Sequence, residues 1–301
     1  MRRRLLALTL LLGALLAAAA GAQALNRDPG PLYVAIGDSL SAGVQPDGRG
    51  HNRPTREGYP DQLARALRPR LPGLAVVHFG GGGTTNTLIE GSADQAADTP
   101  ALVQAERYLR AHRGRVKLVS LNIGDNDVGA CVSARKIDER CVTGGLAHVR
   151  RNVPIILRRL RAAAGGRAPL VGLADYDQFW AFWLRGSSGR ALARRSSDVI
   201  SELNATLLDA YRKGGAVAAD AGPRFAIRAE RPLVPLRGHG QVPRAVARVC
   251  GLTWACSRPP IGFNDHANGR GYRVLSATMY DALRAAGALP GARAADGGAG
   301  P

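Results

Sequence analysis

Four short stretches of this sequence carry groups that could act together on an ester. Gly37-Asp38-Ser39-Leu40-Ser41 offers a hydroxyl nucleophile, and Gly80-Gly81-Gly82-Gly83-Thr84-Thr85 offers backbone N–H donors. Gly124-Asp125-Asn126-Asp127 offers a side-chain amide, and Asn264-Asp265-His266 offers an imidazole base. Acyl transfer from an ester needs an activated oxygen, a proton acceptor and donors for the oxyanion, which is this set of residue types. Each stretch also has a plainer reading. Ser39 could cap a following helix, and Asn126 and Asp127 could be turn residues. The glycine run could mimic a phosphate loop, but no Gly-Lys-Ser/Thr follows it and the G-x-G-x-x-G spacing fails at Thr85.

Such stretches need a frame that brings them together. Apolar runs at Leu32–Ile36, Leu74–Phe79, Val116–Ile123, Leu170–Ala174 and Ala216–Ala219 each end near Gly, Asp or Asn and read as buried strands. Helical spacing of apolar residues appears between them, over Tyr59–Leu67, Ala101–Leu109, Val149–Leu160 and Val199–Tyr211, with a last helix over Tyr272–Leu283. Strands alternating with helices predict parallel pairing and a sheet covered on both faces, a three-layer α/β/α domain of about five strands. Ligands of such sheets bind beyond the carboxyl ends of the strands. The first three stretches fall there, and the fourth precedes the last helix.

Gly37-Asp38-Ser39-Leu40, Gly83, Gly124-Asp125-Asn126-Asp127 and His266 resemble, in order and spacing, the four sequence blocks of the GDSL, or SGNH, hydrolases. Gly58-Tyr59-Pro60-Asp61-Gln62-Leu63, Cys131 with Cys141, and His266-Ala267-Asn268 before Gly271-Tyr272 are similar to its secreted bacterial lipase/esterase branch. The resemblance implies the flavodoxin-like SGNH fold and hydrolysis of carboxylic esters, without metal or cofactor. It implies Ser39 as nucleophile, His266 as general base, and an oxyanion hole from the Ser39 N–H, the Gly83 N–H and the Asn126 side chain. The G-x-S-x-G elbow of α/β-hydrolases is absent, since position 41 is serine. Two departures stand out. Positions where the family often places its acid hold Phe263 and Asn264, so His266 is expected to be oriented by Asn264, by a backbone carbonyl or, less readily, by Asp265. A Ser-His dyad is one outcome. In the glycine run the Cys-Pro pair of relatives is missing, which leaves Gly82 and Gly83 as alternative donors.

The 301 residues are 46% hydrophobic and 21% charged, which excludes a disordered chain and suits one globular domain. Arg2-Arg3-Arg4, the apolar run from Leu5 to about Ala20 and Ala22-Gln23-Ala24 predict an export signal over 1–24. An uncleaved anchor is the alternative. A hydrolase domain over 25–290 and a disordered Gly/Ala-rich tail over 291–301 complete the expected organisation, with a secreted monomer as product. Four cysteines in an exported chain allow three pairings, of which Cys131–Cys141 with Cys250–Cys256 closes the shortest loops. The net charge of +18 is spread along the chain with no stripe suited to nucleic acid, although it would favour an anionic cell envelope. His78, His112, His148 and His239 lack metal-ligand spacing and read as surface or hydrogen-bonded core residues. Phe179-Trp180-Ala181-Phe182-Trp183 is an aromatic cluster best explained by core packing; Trp180 or Trp183 as the wall of an acyl pocket is the functional alternative. From other classes, a non-catalytic basic envelope protein binding anionic polymers and a carbohydrate acetylesterase also fit the chain.

Overall fold

A computed structural model describes residues 30–91 and 99–291. The expected leader over 1–24 and the expected tail beyond Gly291 lie outside the described residues. The five apolar runs form β1 (Leu32–Gly37), β2 (Ala75–Gly80), β3 (Val116–Asn122), β4 (Leu170–Ala174) and β5 (Val217–Asp220). They pair in parallel in the order β2-β1-β3-β4-β5. Every residue of β1 and β4 is buried, as a sheet covered on both faces requires. Between and after the strands run α1 (Tyr59–Leu67), α2 (Thr85–Glu90), α3 (Ala101–Ala111), α4 (Asp125–Gly129), α5 (Glu139–Ala164) and α6 (Ser187–Lys213). The described residues close with α7 (Gly222–Phe225), α8 (Arg244–Leu252) and α9 (Gly269–Ala285).

The two-residue period of β1 divides the core. Leu32, Val34 and Ile36 face α3, α5 and α6, packing with Leu102, Val153 and Leu203. Tyr33 and Ala35 face α1 and α9, packing with Leu63, Tyr272 and Met279. A third, smaller cluster joins Trp180 to Val242, Val246 and Val249. Both disulfides pair as expected, Cys131 with Cys141 and Cys250 with Cys256, at Cα separations of 5.5 and 5.0 Å.

Helix starts depart most from the sequence reading. Helix α5 begins at Glu139 rather than Val149, where Asp138 caps it by accepting from the Cys141 N–H at 3.1 Å. Helix α6 begins at Ser187 rather than Val199. Asn268 caps α9 by accepting from the N–H groups of Arg270 and Gly271 at 2.9 and 3.1 Å. Together with buried Tyr272, Leu275, Met279 and Leu283, each stabilising by about 1.5–3 kcal/mol, that cap fixes the chain two residues beyond His266.

Candidate active site

The Ser39 turn is built by its neighbour Asp38. Gly37 ends β1 at φ +150°, and a Cβ there would collide with the carbonyl oxygen of Asn122, so the chain can leave the sheet here only as glycine. Asp38 then donates its N–H to that carbonyl at 3.1 Å. Its buried carboxyl accepts from the Leu40 N–H at 3.0 Å, while Ser41 Oγ donates to the Asp38 carbonyl at 2.7 Å. Residues 39–43 form turns rather than a helix, so Ser39 is not a helix cap. Among the described residues, neither its N–H nor its Oγ makes a hydrogen bond.

The loop after β2 is tied to α4 twice. Asn126 Nδ2 donates to the Gly83 carbonyl at 3.0 Å, which leaves its second N–H hydrogen for another acceptor. Asp127 accepts from the Thr85 N–H at 2.8 Å and from Thr85 Oγ1 at 2.7 Å. Gly83 sits at φ +92°, and a Cβ on it would overlap Thr87 Oγ1, whereas Gly82 faces open space.

His266 is buried, and its Nδ1 meets two oxygens. Asn264 Oδ1 is 3.0 Å away in hydrogen-bonding geometry and also accepts the His266 N–H at 3.1 Å. Asp265 Oδ1 is 3.1 Å away as an ion-pair neighbour. The His266 ring beside Asp265 holds that carboxyl below its ordinary value, against the opposing effect of burial. Asn264 is itself held, donating to Asn52 Oδ1 at 2.7 Å, and Tyr176 Oη donates to the Asp265 carbonyl at 2.8 Å. Both side chains weighed for orienting the imidazole are therefore in reach of it, and Asn264 has the better geometry. Nε2 has no hydrogen-bond partner among the described residues.

Ser39, Asn126 and His266 line one narrow cleft at the carboxyl edge of the sheet. No hydrogen bond joins Ser39 to His266 among the described residues; such contacts commonly tighten only with substrate bound. Gly83 does not line the cleft and reaches it through Asn126. Asp38, Asp125 and Asp175 also line it. Burial pushes Asp38 up to about 8 and the other two well above the carboxylate range, with neighbouring acids adding to the effect. One oxygen each of Asp125 and Asp175 is buried without a partner. No cluster among the described residues has the arrangement to hold a metal ion.

Trp180 and Trp183 do not line this cleft. Trp180 is buried in the third cluster and donates Nε1–H to the Ile227 carbonyl at 2.7 Å. Trp183 packs on it under the guanidinium of Arg194. Core packing, the plainer reading, describes them. The aromatic that lines the cleft is instead Tyr176, while Phe263, 37% exposed next to Asn264, packs on Phe179 and Phe182. Sequence reasoning also passed over Asn52, Thr85, Tyr176 and Gln178; only Thr85 lies inside a stretch that the residue types mark.

The sequence pattern of the GDSL-like lipase/acylhydrolase family matches residues 35–274. Among solved structures, the chain is similar to the extracellular lipase from Streptomyces rimosus, at 19% identity and a TM-score of 0.52 over 85% of this chain and 99% of that one. It is likewise similar to phospholipase A1 from Streptomyces albidoflavus NA297, at 22% identity and a TM-score of 0.53 over 85% and 99%. At these identities the likeness establishes the fold, a five-stranded parallel sheet of the SGNH-hydrolase type. No curated protein matches the chain.

Proposed function

The chain belongs to the GDSL-like lipase/acylhydrolase family, and from that premise we propose that it is a secreted serine esterase or lipase that hydrolyses carboxylic esters through an acyl-Ser39 intermediate. The observation that carries the reading is the common cleft of Ser39, Asn126 and His266, with the His266 Nδ1 side held and Nε2 left to face a proton donor. In this mechanism His266 Nε2 takes the Ser39 Oγ proton as Oγ attacks the ester carbonyl carbon. The oxyanion that forms is met by the Ser39 N–H, the Gly83 N–H and the free hydrogen of Asn126 Nδ2. His266 returns the proton to the departing alcohol, and a water activated by the same ring then releases the acid. Asn264 and Asp265 hold the ring, and Asp265 offsets the charge it gains.

Buried and largely protonated, Asp38 organises the turn as a neutral group and keeps a negative charge away from the developing oxyanion. Two disulfides support export, since such bonds persist in oxidising compartments, and a single hydrolase domain over 25–290 with a cleavable leader over 1–24 completes the proposal. The names of the Streptomyces neighbours, a lipase and a phospholipase A1, favour acyl lipids as the substrate class. The test is hydrolysis of p-nitrophenyl esters from acetyl to palmitoyl by purified protein beside Ser39→Ala. Activity that vanishes in the variant supports the nucleophile, and the chain-length optimum separates esterase from lipase. A folded wild type inert across the series would refute the reading and favour a carbohydrate acetylesterase or the polymer-binding alternative.

A further inference from the structure

His78 lies outside the proposed chemistry, yet it touches the turn that carries Ser39. It stands on β2, paired with Ala35 of β1. Its Nδ1 lies 2.9 Å from the backbone carbonyl oxygen of Ser41, two residues beyond Ser39. Its Nε2 lies 3.3 Å from Asp61 Oδ2 on α1. A carbonyl oxygen and a carboxylate only accept, so both ring nitrogens are called on to donate, which the neutral ring cannot do. Asp61 Oδ2 is buried and makes no other polar contact among the described residues, so His78 is its ion-pair partner. Besides Asp61, the charged group facing His78 is Arg56, from the segment before α1, while β1 presents Ala35. Burial opposes the charged ring, but Asp61 and the Ser41 carbonyl outweigh it and raise His78 above its ordinary value.

We propose that His78 is a positioning residue: as an imidazolium it straps the Ser39 turn, through the Ser41 carbonyl, to Asp61 of α1. The proposal rests on Ser39 being the nucleophile. Two histidines then have opposite requirements, since His266 must be neutral to accept a proton and His78 must be charged to hold the turn. Loss of the His78 proton removes one of its two donors, frees one end of the strap and lowers kcat on the alkaline side. Burial pushes Asp38 on the same turn up to about 8, so a pH–rate profile alone does not separate it from His78.

The experiment therefore pairs ring-carbon NMR titration of His78 with kcat–pH profiles on a soluble p-nitrophenyl ester, in wild type, Asp61→Asn and His78→Phe. The amide in Asp61→Asn both donates and accepts, so a neutral His78 can still bridge it to Ser41. We expect the His78 midpoint to lie above 6.5 in wild type and to fall by about one pH unit or more in Asp61→Asn. The part of the alkaline decline in kcat that follows the His78 midpoint should disappear in that variant with KM unchanged. His78→Phe should lose about tenfold in kcat at every pH, the scale expected of a slightly misplaced nucleophile. A wild-type midpoint at or below the ordinary value overturns the proposal. So does a midpoint that moves in Asp61→Asn while the kcat profile stays fixed. Turnover that survives in Ser39→Ala would instead overturn the active-site reading beneath it, and the NMR arm would still report whether the strap exists.

Discussion

Alanine at Gly83 and alanine at Gly82 should have opposite consequences, although the residues are neighbours in one glycine run. At Gly83 the backbone sits at φ +92°, and an added Cβ would overlap Thr87 Oγ1 and lie 3.0 Å from Thr87 Cβ. An L side chain at such a φ costs roughly 1–2 kcal/mol, and forcing a methyl into filled space adds about 1–3 kcal/mol. The loop relieves that strain most readily by swinging away from α2, which carries the Gly83 N–H from its place and breaks the 3.0 Å bond from Asn126 Nδ2 to the Gly83 carbonyl. Losing one oxyanion donor costs about 3 kcal/mol of barrier, a hundredfold or more in kcat. Gly82 has no atom within 4 Å of the same added methyl and is not at positive φ, so Gly82→Ala should stay within about twofold of wild type, as surface changes do. Initial rates on p-nitrophenyl butyrate, with thermal melts to confirm folding, make the comparison. The expected pattern is a large fall in kcat with little change in KM for Gly83→Ala, partly recovered when Thr87→Ala removes the overlapping oxygen. Full kcat in Gly83→Ala, or equal damage from Gly82→Ala, would refute the argument.

Asn264→Ala should lower kcat more than Asp265→Asn. The former removes an acceptor shared by the ring and backbone of His266, worth about 2 kcal/mol or some thirtyfold, whereas Asp265 is half exposed and its charge is worth about 1 kcal/mol; the reverse order in steady-state kinetics would make Asp265 the principal partner. Asp38 at about 8 and Asp177 at about 7 bind protons in the folded chain that the unfolded chain releases near 4. Their contribution is therefore complete below about pH 4 and is lost as pH rises toward 8, so Tm should fall across that window. Asp38→Asn, which keeps the acceptor for Leu40 N–H, should reduce the slope, and an unchanged slope would clear Asp38 of responsibility. Replacing Cys250 and Cys256 together by alanine should cost about 2 kcal/mol, read as a drop in Tm of roughly 4–8 °C by calorimetry.

The strands were legible because burial on both faces leaves them as unbroken apolar runs bounded by Gly, Asp or Asn, and the site stretches follow from those bounds. Helix starts were not. The first turns of α5 contain Gly144 and Gly145, poor helix formers by propensity. In the fold, a Cβ at Gly145 would collide with the Asp127 carbonyl, so the residue that obscures the helix is the one that lets α5 approach the Asn126 segment. Polar Ser187-Ser188-Gly189 hides the start of α6 for a similar reason, since Gly189 lies against the Phe182 carbonyl. Long-range pairs were illegible in principle: nothing local to Asn52 announces that it will hold Asn264, or that His78 will meet Ser41 and Asp61.

The site is also late in topology. Ser39 follows the first strand, whereas His266 is fixed only when α9 docks and Tyr272 Oη donates to the Val44 carbonyl at 2.7 Å. Those partners are 228 residues apart, and contacts of such separation form only after the loop between them has closed. A nascent chain would therefore carry a nucleophile without a base until its C-terminal helix is in place. On the proposed mechanism and the proposed export, turnover then reports completed folding, and an unfolded precursor in transit would be chemically silent toward membrane lipid.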